Sequence, residues 1–193
     1  MTKSLYPVNL ILVDRPVLLV GGGPVASVKI LSLVEAGANV TVVAPEISSA
    51  VRRLARRCEE RAFRESDLDG VHFVVSAAPP EVNREVVEAA HALGLFVLAV
   101  DHPAVASVQS PAVLRRGGIQ ITISTDGLAP ALAGLVREAL EALLPDDEEA
   151  ARWIALAQAA RDGWKRDEIP HGERRALLVT ALQALYAPDR VRA

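Results

Sequence analysis

Four apolar residues in succession, VLLV at 17–20, are followed at once by three glycines. A short unbroken apolar run predicts a strand covered on both faces, because a half-exposed strand would alternate. From Pro24 the spacing changes. Val25, Val28, Leu31 and Val34 recur every third residue and Gly37 closes the run, which predicts a helix. NVTVVA (39–44) reads as the next strand, and PEISSAVRRLARR (45–57) as a helix with Pro45 at its start. ERAFR (60–64) predicts a short strand before the loop ESDLDG. HFVVSAA (72–78) is a strand, PPEVNREVVEAAHALG (79–94) a helix stopped by Gly94, and LFVLAV (95–100) a strand. Strands alternating with helices in this way predict an α/β fold, a parallel sheet with helices on both faces.

Beyond Asp101 the rhythm changes. PAVLRRGGIQITIST (111–125) predicts two strands around Gly117–Gly118, with alternation at Ile119, Ile121 and Ile123. LAPALAGLVREALEALLP (128–145) predicts a long helix with Pro130 in its first turn, and the chain from Asp146 onward reads as helical. The expected organisation is residues 1–108 as the parallel α/β domain, 109–145 as a small α+β region and 146–193 as a helical C-terminal domain. The apolar helices of the second half predict packing against a partner, for which a second subunit is the candidate.

The glycines raise the chemical question, since a tight turn needs one or two of them, not three. In the Rossmann-type turn G-x-G-x-x-G/A, one glycine permits the bend and another lets a pyrophosphate approach the backbone. A small third residue lets the helix pack on the strand. Gly21, Gly23 and Ala26 occupy those positions, and Gly22 reads as further room for the approach. Pro24, Val25 and Ala26 then open a helix whose amino terminus offers amide donors and partial positive charge to phosphates. The bland alternative is a glycine turn with no ligand. A ribose-binding acid belongs about 20 residues past the glycines. Here the acid is Glu46, 23 residues past Gly23, so it is either that acid or a charge in the first turn of the following helix. Ala78, after the fourth strand, completes the expected cofactor-binding set. No arginine at the end of the second strand offers itself to a 2′-phosphate, which favours NAD over NADP.

Composition narrows the class. Of 193 residues, 51% are hydrophobic, enough for a packed core, yet no uncharged apolar run reaches membrane-spanning length. The apolar start is broken by Asp14, Arg15 and Pro16, so it reads as a structured arm rather than a signal peptide. Cys58 is the single cysteine, which rules out an internal disulfide or a multi-cysteine metal site, and a cytoplasmic location is expected. A net charge of −3 and 4% aromatics argue against nucleic-acid binding, and RRLARR (52–57) reads as a solvated face beside Glu59 and Glu60.

LFVLAVDHP ends its strand in Asp101. Ligands of open α/β sheets lie beyond the carboxyl ends of the strands, so this carboxylate is expected to face the crevice as a proton acceptor or metal-handling group. The competing reading is a turn former ahead of Pro103. His102 beside it is either a second base or ligand, or an ordinary turn histidine.

These segments resemble a known family, over essentially the whole chain and in the family's order. The most specific are G-G-G-x-V-A-x-x-K (Gly21 to Lys29), V-N at Val82–Asn83, V-D-x-P ending in Pro103, and S-x-x-G-x-x-P (Ser124, Gly127, Pro130). The family is the amino-terminal module of sirohaem synthases, the precorrin-2 dehydrogenases, some of which are also sirohydrochlorin ferrochelatases. The resemblance implies NAD-dependent oxidation of precorrin-2 to sirohydrochlorin, with ferrous-iron insertion left open. It also implies a homodimer built by the region after the dinucleotide-binding domain, with a tetrapyrrole as substrate and Fe2+ or Co2+ as a further substrate of any chelatase. Asp101 takes the family's catalytic aspartate position. Because precorrin-2 carries many carboxylates, Lys29, Arg115, Arg116 and Arg137 are candidates to bind it, each against the alternative of a solvated charge. Thr125 stands where many members have a serine in a small-residue run, and it completes the substrate set. SAAPPEVN lacks the threonine and acidic residues usual there. No resident metal ligand is assigned.

Two classes of function remain in view: this oxidoreductase, and a non-catalytic NAD(H)-sensing Rossmann dimer. Asp101 together with ISTDGLAP favours the enzyme, because a sensor needs no carboxylate beside a large cavity.

Overall fold

The structure, a computed structural model, describes residues 5–100, 102 and 104–185. The chain divides into two compact units, residues 1–110 and 111–193. In the first unit, β1 (Pro16–Val20), β2 (Asn39–Ala44), β3 (Arg57–Glu60), β4 (Phe73–Ser76) and β5 (Val97–Ala99) form one sheet in the order β3-β2-β1-β4-β5. Every neighbouring pair is parallel, with Val17 opposite Val40 on one side and Phe73 on the other. The order reverses between β1 and β4, the place where open α/β sheets leave a crevice.

The unbroken VLLV run has the expected cause. Val17 and Leu19 enter a core on one face with Ala26, Ile30 and Val51, while Leu18 and Val20 enter the other with Val86, Val87 and Ala90. Each strand residue is buried in turn against α1 (Pro24–Glu35) and α2 (Ser49–Leu54) or against α3 (Pro80–Ala92). Full burial of such a side chain contributes roughly 1.5–3 kcal/mol.

Two sequence expectations are corrected. The helix expected over 45–57 is only α2, because the Ser48 hydroxyl accepts the Val51 amide and starts it late. It ends early because Arg56 N–H pairs with Val40 O and the chain then runs beside β2. The strand expected at 60–64 is accordingly β3, at Arg57–Glu60. Arg52 pairs with Glu60, Arg57 with Glu59, and Arg56 donates to Asn39, so much of the basic cluster is held by neighbours. α1 forms as expected, but it buries Ala26, Ile30 and Leu33. Val25, Val28 and Leu31 are left outward, at 43%, 67% and 48% exposed.

The second unit begins with the hairpin of β6 (Ala112–Arg116) and β7 (Ile119–Ile123). Gly117 and Gly118 both have positive φ, 49° and 91°, as the tight hairpin turn requires. The Gly117 amide donates to Asp147 Oδ1 at 2.8 Å, tying the turn to the start of a helix. Three helices follow: α4 (Pro130–Leu143), α5 (Asp147–Arg166) and α6 (His171–Ala184), with α4 and α5 both packed on the hairpin. No helix among the described residues is long and apolar enough to cross a membrane.

The link from β3 to β4 is held by one ion pair. Arg61 grips Asp67 through both guanidinium nitrogens, at 2.8 and 2.6 Å, while Asp67 also accepts the Arg64 amide at 2.9 Å and so caps the short 3-10 turn Glu65–Leu68. The Asp67 side chain is 8% exposed, and the hydrogen bond from Arg61 holds its carboxyl below the ordinary value despite burial. A depressed carboxylate stabilises the fold above its unfolded value, near pH 4, and that contribution is lost as pH falls through the folded value. Asp67→Asn should therefore melt a few degrees lower than wild type at pH 7, with the gap narrowing as the pH drops below about 4. Thermal melts by circular dichroism check this, and a gap as wide at pH 3 as at pH 7 would remove the ionic account.

Candidate functional site

A cleft of about 470 Å³ opens at the carboxyl ends of β1, β2 and β4. Its floor is Gly21–Gly23. Its walls come from the end of β2 and the following turn (Val43–Glu46), from Ala62 and Phe63, from Ala77–Pro79, and from Val82 and Glu85 of α3. The structure thus brings Gly21, Gly22, Gly23, Glu46 and Ala78 to one cleft.

The three glycines turn out to have three different reasons. Gly21 has φ 127°, and a Cβ there would lie 2.3 Å from the Ala77 carbonyl oxygen. Gly22 is pressed against the β2–α2 turn, where a Cβ would lie 2.0 Å from Glu46 O, and its own carbonyl accepts the Ser48 amide at 3.0 Å. The room expected at Gly22 for a ligand is therefore taken by the protein's own backbone. Gly23 alone faces open space, with nothing within 4 Å of a Cβ. It is the N-cap of α1, where no side chain caps the helix and no acidic residue sits in the first turn. Pro24 has no amide to satisfy, Val25 is half exposed, and Ala26 is fully buried against the strand, the close packing a small residue permits. The first-turn amides of this helix have no partner within the helix, and the end of the dipole faces the cleft, so an anion fits here.

Glu46 lies in the turn between β2 and the Ser48 cap, not in the helix, and it lines the cleft. With Glu85 it makes the rim acidic, and no lysine or arginine is among the lining residues.

Asp101 lies outside the described residues. The chain on either side of it is well held. Val100 N–H donates to Ser76 O at 2.9 Å, and the Asn83 side chain donates to Val100 O at 3.2 Å. His102 is half-buried, and after it the chain turns back so that the Ser107 hydroxyl accepts the Val97 amide at 2.8 Å. Lys29 on α1 donates to the Ser110 hydroxyl at 3.3 Å.

The remaining candidates lie in the second unit. Arg116 and Arg137 converge on one carboxylate, Glu141, at 3.3 and 2.7 Å, and Arg137 also reaches Glu138. The Arg116 Nε is buried without a hydrogen-bond partner. Arg115 is exposed on β6. Thr125 Oγ1 accepts the Ala129 amide at 3.1 Å and Ser124 Oγ accepts that of Asp126, so this loop shapes the entry to α4, with Asp126 at φ 52°.

Sequence reasoning attached no role to Asn83 or Ser76 and did not single out Ala62 or Phe63. Asn83 did leave a signal: the buried residues of α3 are Asn83, Val86, Val87 and Ala90, the i, i+3, i+4, i+7 stripe, and an amide stands first in an otherwise apolar row.

Comparison with known proteins gives consistent results. A family described as "Putative NAD(P)-binding" matches residues 8–112, and one described as "Sirohaem biosynthesis protein central" matches residues 116–143. Siroheme synthase 2 of Aeromonas hydrophila is 44% identical over 134 residues, 68% of this chain and 28% of that protein. Siroheme synthase of Citrobacter koseri is 37% identical over 183 residues, 92% of this chain and 39% of that protein. The chain thus spans well under half the length of these relatives. A solved structure titled "SirC, precorrin-2 dehydrogenase" superposes with a TM-score of 0.71 at 28% identity, covering 96% of this chain and 91% of that one.

The glycine geometry separates folding from binding. Gly22→Ala should lower both the melting temperature and NAD affinity, since its methyl group has nowhere to go. Gly23→Ala should keep the melting temperature and weaken NAD about tenfold or more, as expected where close backbone approach to the pyrophosphate is lost. Calorimetric titration decides it, and unchanged affinity in Gly23→Ala would show that the open space is not where the cofactor sits. On its glycine cleft and these matches together, the chain belongs to the NAD(P)-binding family that forms the amino-terminal module of siroheme synthases and includes precorrin-2 dehydrogenase.

Proposed function

We propose that this chain is an NAD-dependent precorrin-2 dehydrogenase of sirohaem biosynthesis, oxidising precorrin-2 to sirohydrochlorin. The observation that carries the proposal is the uncapped amino terminus of α1 opening on the cleft at Gly23, in a chain that matches the SirC dehydrogenase over nearly its full length. The backbone at Gly21–Ala26 would hold the pyrophosphate, Glu46 the adenosine ribose, and Ala77–Pro79 the wall beside it. An acidic rim without a lysine or arginine favours NAD, since a 2′-phosphate would meet Glu46 with no cation to pair with. When bound, NAD supplies the hydride acceptor. Two hydrogens leave precorrin-2, one as hydride and one as a proton, so the balance is precorrin-2 and NAD+ to sirohydrochlorin, NADH and H+. Asp101, following the last strand of the sheet, is the group proposed to take that proton.

Lys29, Arg115, Arg116, Arg137 and Thr125 are proposed to meet the substrate's carboxylates. For Arg116 and Arg137 the proposal requires an exchange, because both already hold Glu141. A homodimer, with residues 109–145 as the dimerisation region and 146–193 as the helical C-terminal domain, is supported by apolar residues left outward. α4 and the turn before it expose Leu128, Leu132, Leu135 and Leu143. A monomer rarely leaves so large an apolar surface uncovered. A cytoplasmic location is part of the same proposal.

The test is anaerobic: purified protein, precorrin-2 generated in situ and NAD, with spectra followed over time. Sirohydrochlorin and NADH should appear together. If NAD binds and the spectrum stays unchanged, the NAD(H)-sensing reading takes over. Ferrous or cobaltous ion added to the finished reaction then tests metal insertion, and a spectrum unmoved by either ion denies it. Asp101→Ala should fold and bind NAD yet lose turnover, and retained turnover would take Asp101 out of the mechanism. Light scattering should give twice the 20.6 kDa of one chain, and a single-chain mass would sink the dimer.

A further inference from the structure

Among the described residues, just two polar residues are buried as a whole, Ser76 at 0% and Asn83 at 3% exposed, and they touch. Two polar groups in an apolar interior cost stability unless their hydrogen bonds are met, so what they are bonded to is informative. Asn83 Oδ1 accepts the Ser76 hydroxyl at 2.5 Å and the Ala78 amide at 3.1 Å. Its Nδ2 donates to the Val100 carbonyl at 3.2 Å. One end of this short planar amide therefore holds Ala78, in the wall of the dinucleotide cleft, and the other holds the last peptide carbonyl before Asp101. The apolar row of α3 in which Asn83 stands does not by itself call for an amide.

We infer that Asn83 is a positioning residue that couples the cofactor-binding wall at Ala78 to the carboxyl end of β5. The inference rests on the cleft being the NAD site and deepens that reading. Fixing Ala78 against Val100 sets the distance between a bound dinucleotide and whatever group the chain presents after β5. A filled cleft would in turn steady that strand end.

Asn83→Asp isolates the link. A protonated carboxyl can still accept from Ser76 and Ala78 and donate its O–H to the Val100 carbonyl. Ionised, it turns a negative oxygen toward that carbonyl. Burial raises the carboxyl's pKa, so the change falls within an accessible pH range. Two readouts follow, on the full chain with NAD as the probe. In wild type, NAD should slow amide hydrogen exchange at Val97–Val100 and 104–108; in Asn83→Asp that slowing should be present at low pH and lost at high pH, with NAD affinity held within about twofold. In the precorrin-2 assay the variant's kcat should fall about tenfold to a hundredfold as pH rises, the size of loss expected for small misplacement of reacting groups. Wild type should show no such limb. Should the variant not fold, Ser76→Ala is the substitute: it removes one bond to Asn83 and should reduce the NAD-dependent slowing with affinity unchanged.

If NAD fails to slow exchange at the end of β5 in wild type, or slows it in Asn83→Asp as much at high pH as at low, the inference is overturned. It is overturned as well if kcat and NAD affinity fall together. Wild type that binds NAD, shows the exchange effect and yet never oxidises precorrin-2 would instead overturn the dehydrogenase reading and leave the coupling standing.

Discussion

The first unit depends on the contact of bare backbone with bare backbone at the turn from β1 to α1. Gly21 lies against the Ala77 carbonyl and Gly22 against that of Glu46, so one tripeptide fixes the ends of β4 and β2 around β1. A methyl group at either position would push the strands' exits apart. The cleft exists because these exits are close, and it is open because a Cβ on the next residue, Gly23, would meet nothing within 4 Å. Fold and site are thus specified by adjacent residues for opposite reasons, close packing at two and empty space at the third.

The same division appears in how the helices begin. α2 and α5 are capped by side chains, Ser48 and Asp146, that satisfy an amide of the first turn. α1, like α3, α4 and α6, has no such cap, and its first turn carries no acidic residue. A helix end left uncapped at the mouth of a cleft is less stable in isolation and better suited to an anion, since the same amides cannot serve both. Glu46 and Glu85 stand at the rim of that cleft, where they would oppose a further anionic group such as a 2′-phosphate.

Most of this architecture was legible because burial on both faces leaves an unmistakable apolar run, as in VLLV and FVVS, and because glycines mark the turns. What misled was local ambiguity. RRLARR has a helical look, yet β2 offers a free edge, and backbone pairing with Val40 and Thr41 takes Arg56 and Arg57 away from the helix. In α1 apolar residues lie all round, so periodicity announced a helix without saying which side it would bury. The site was legible where backbone chemistry demands glycine, and not where a side chain works through others. An asparagine reads as polar from the sequence, and only the fold shows its amide bridging two strand ends. Asp101 is singled out only by its place after an apolar run, a matter of chain order alone.

The edges of the five-stranded sheet bear on how such a molecule can associate. β3 presents Arg57, Glu59 and Glu60 along one margin, charges that must be stripped of water before another strand could pair there. At the opposite margin β5 is only three residues long, and the chain returning at Ser107 and Val108 already occupies the hydrogen-bonding groups of Val97. Neither margin offers the long bare ladder on which sheets grow from one molecule to the next. Association of this unit strand to strand is thereby disfavoured at both of its margins, and open-ended stacking of the sheet with it.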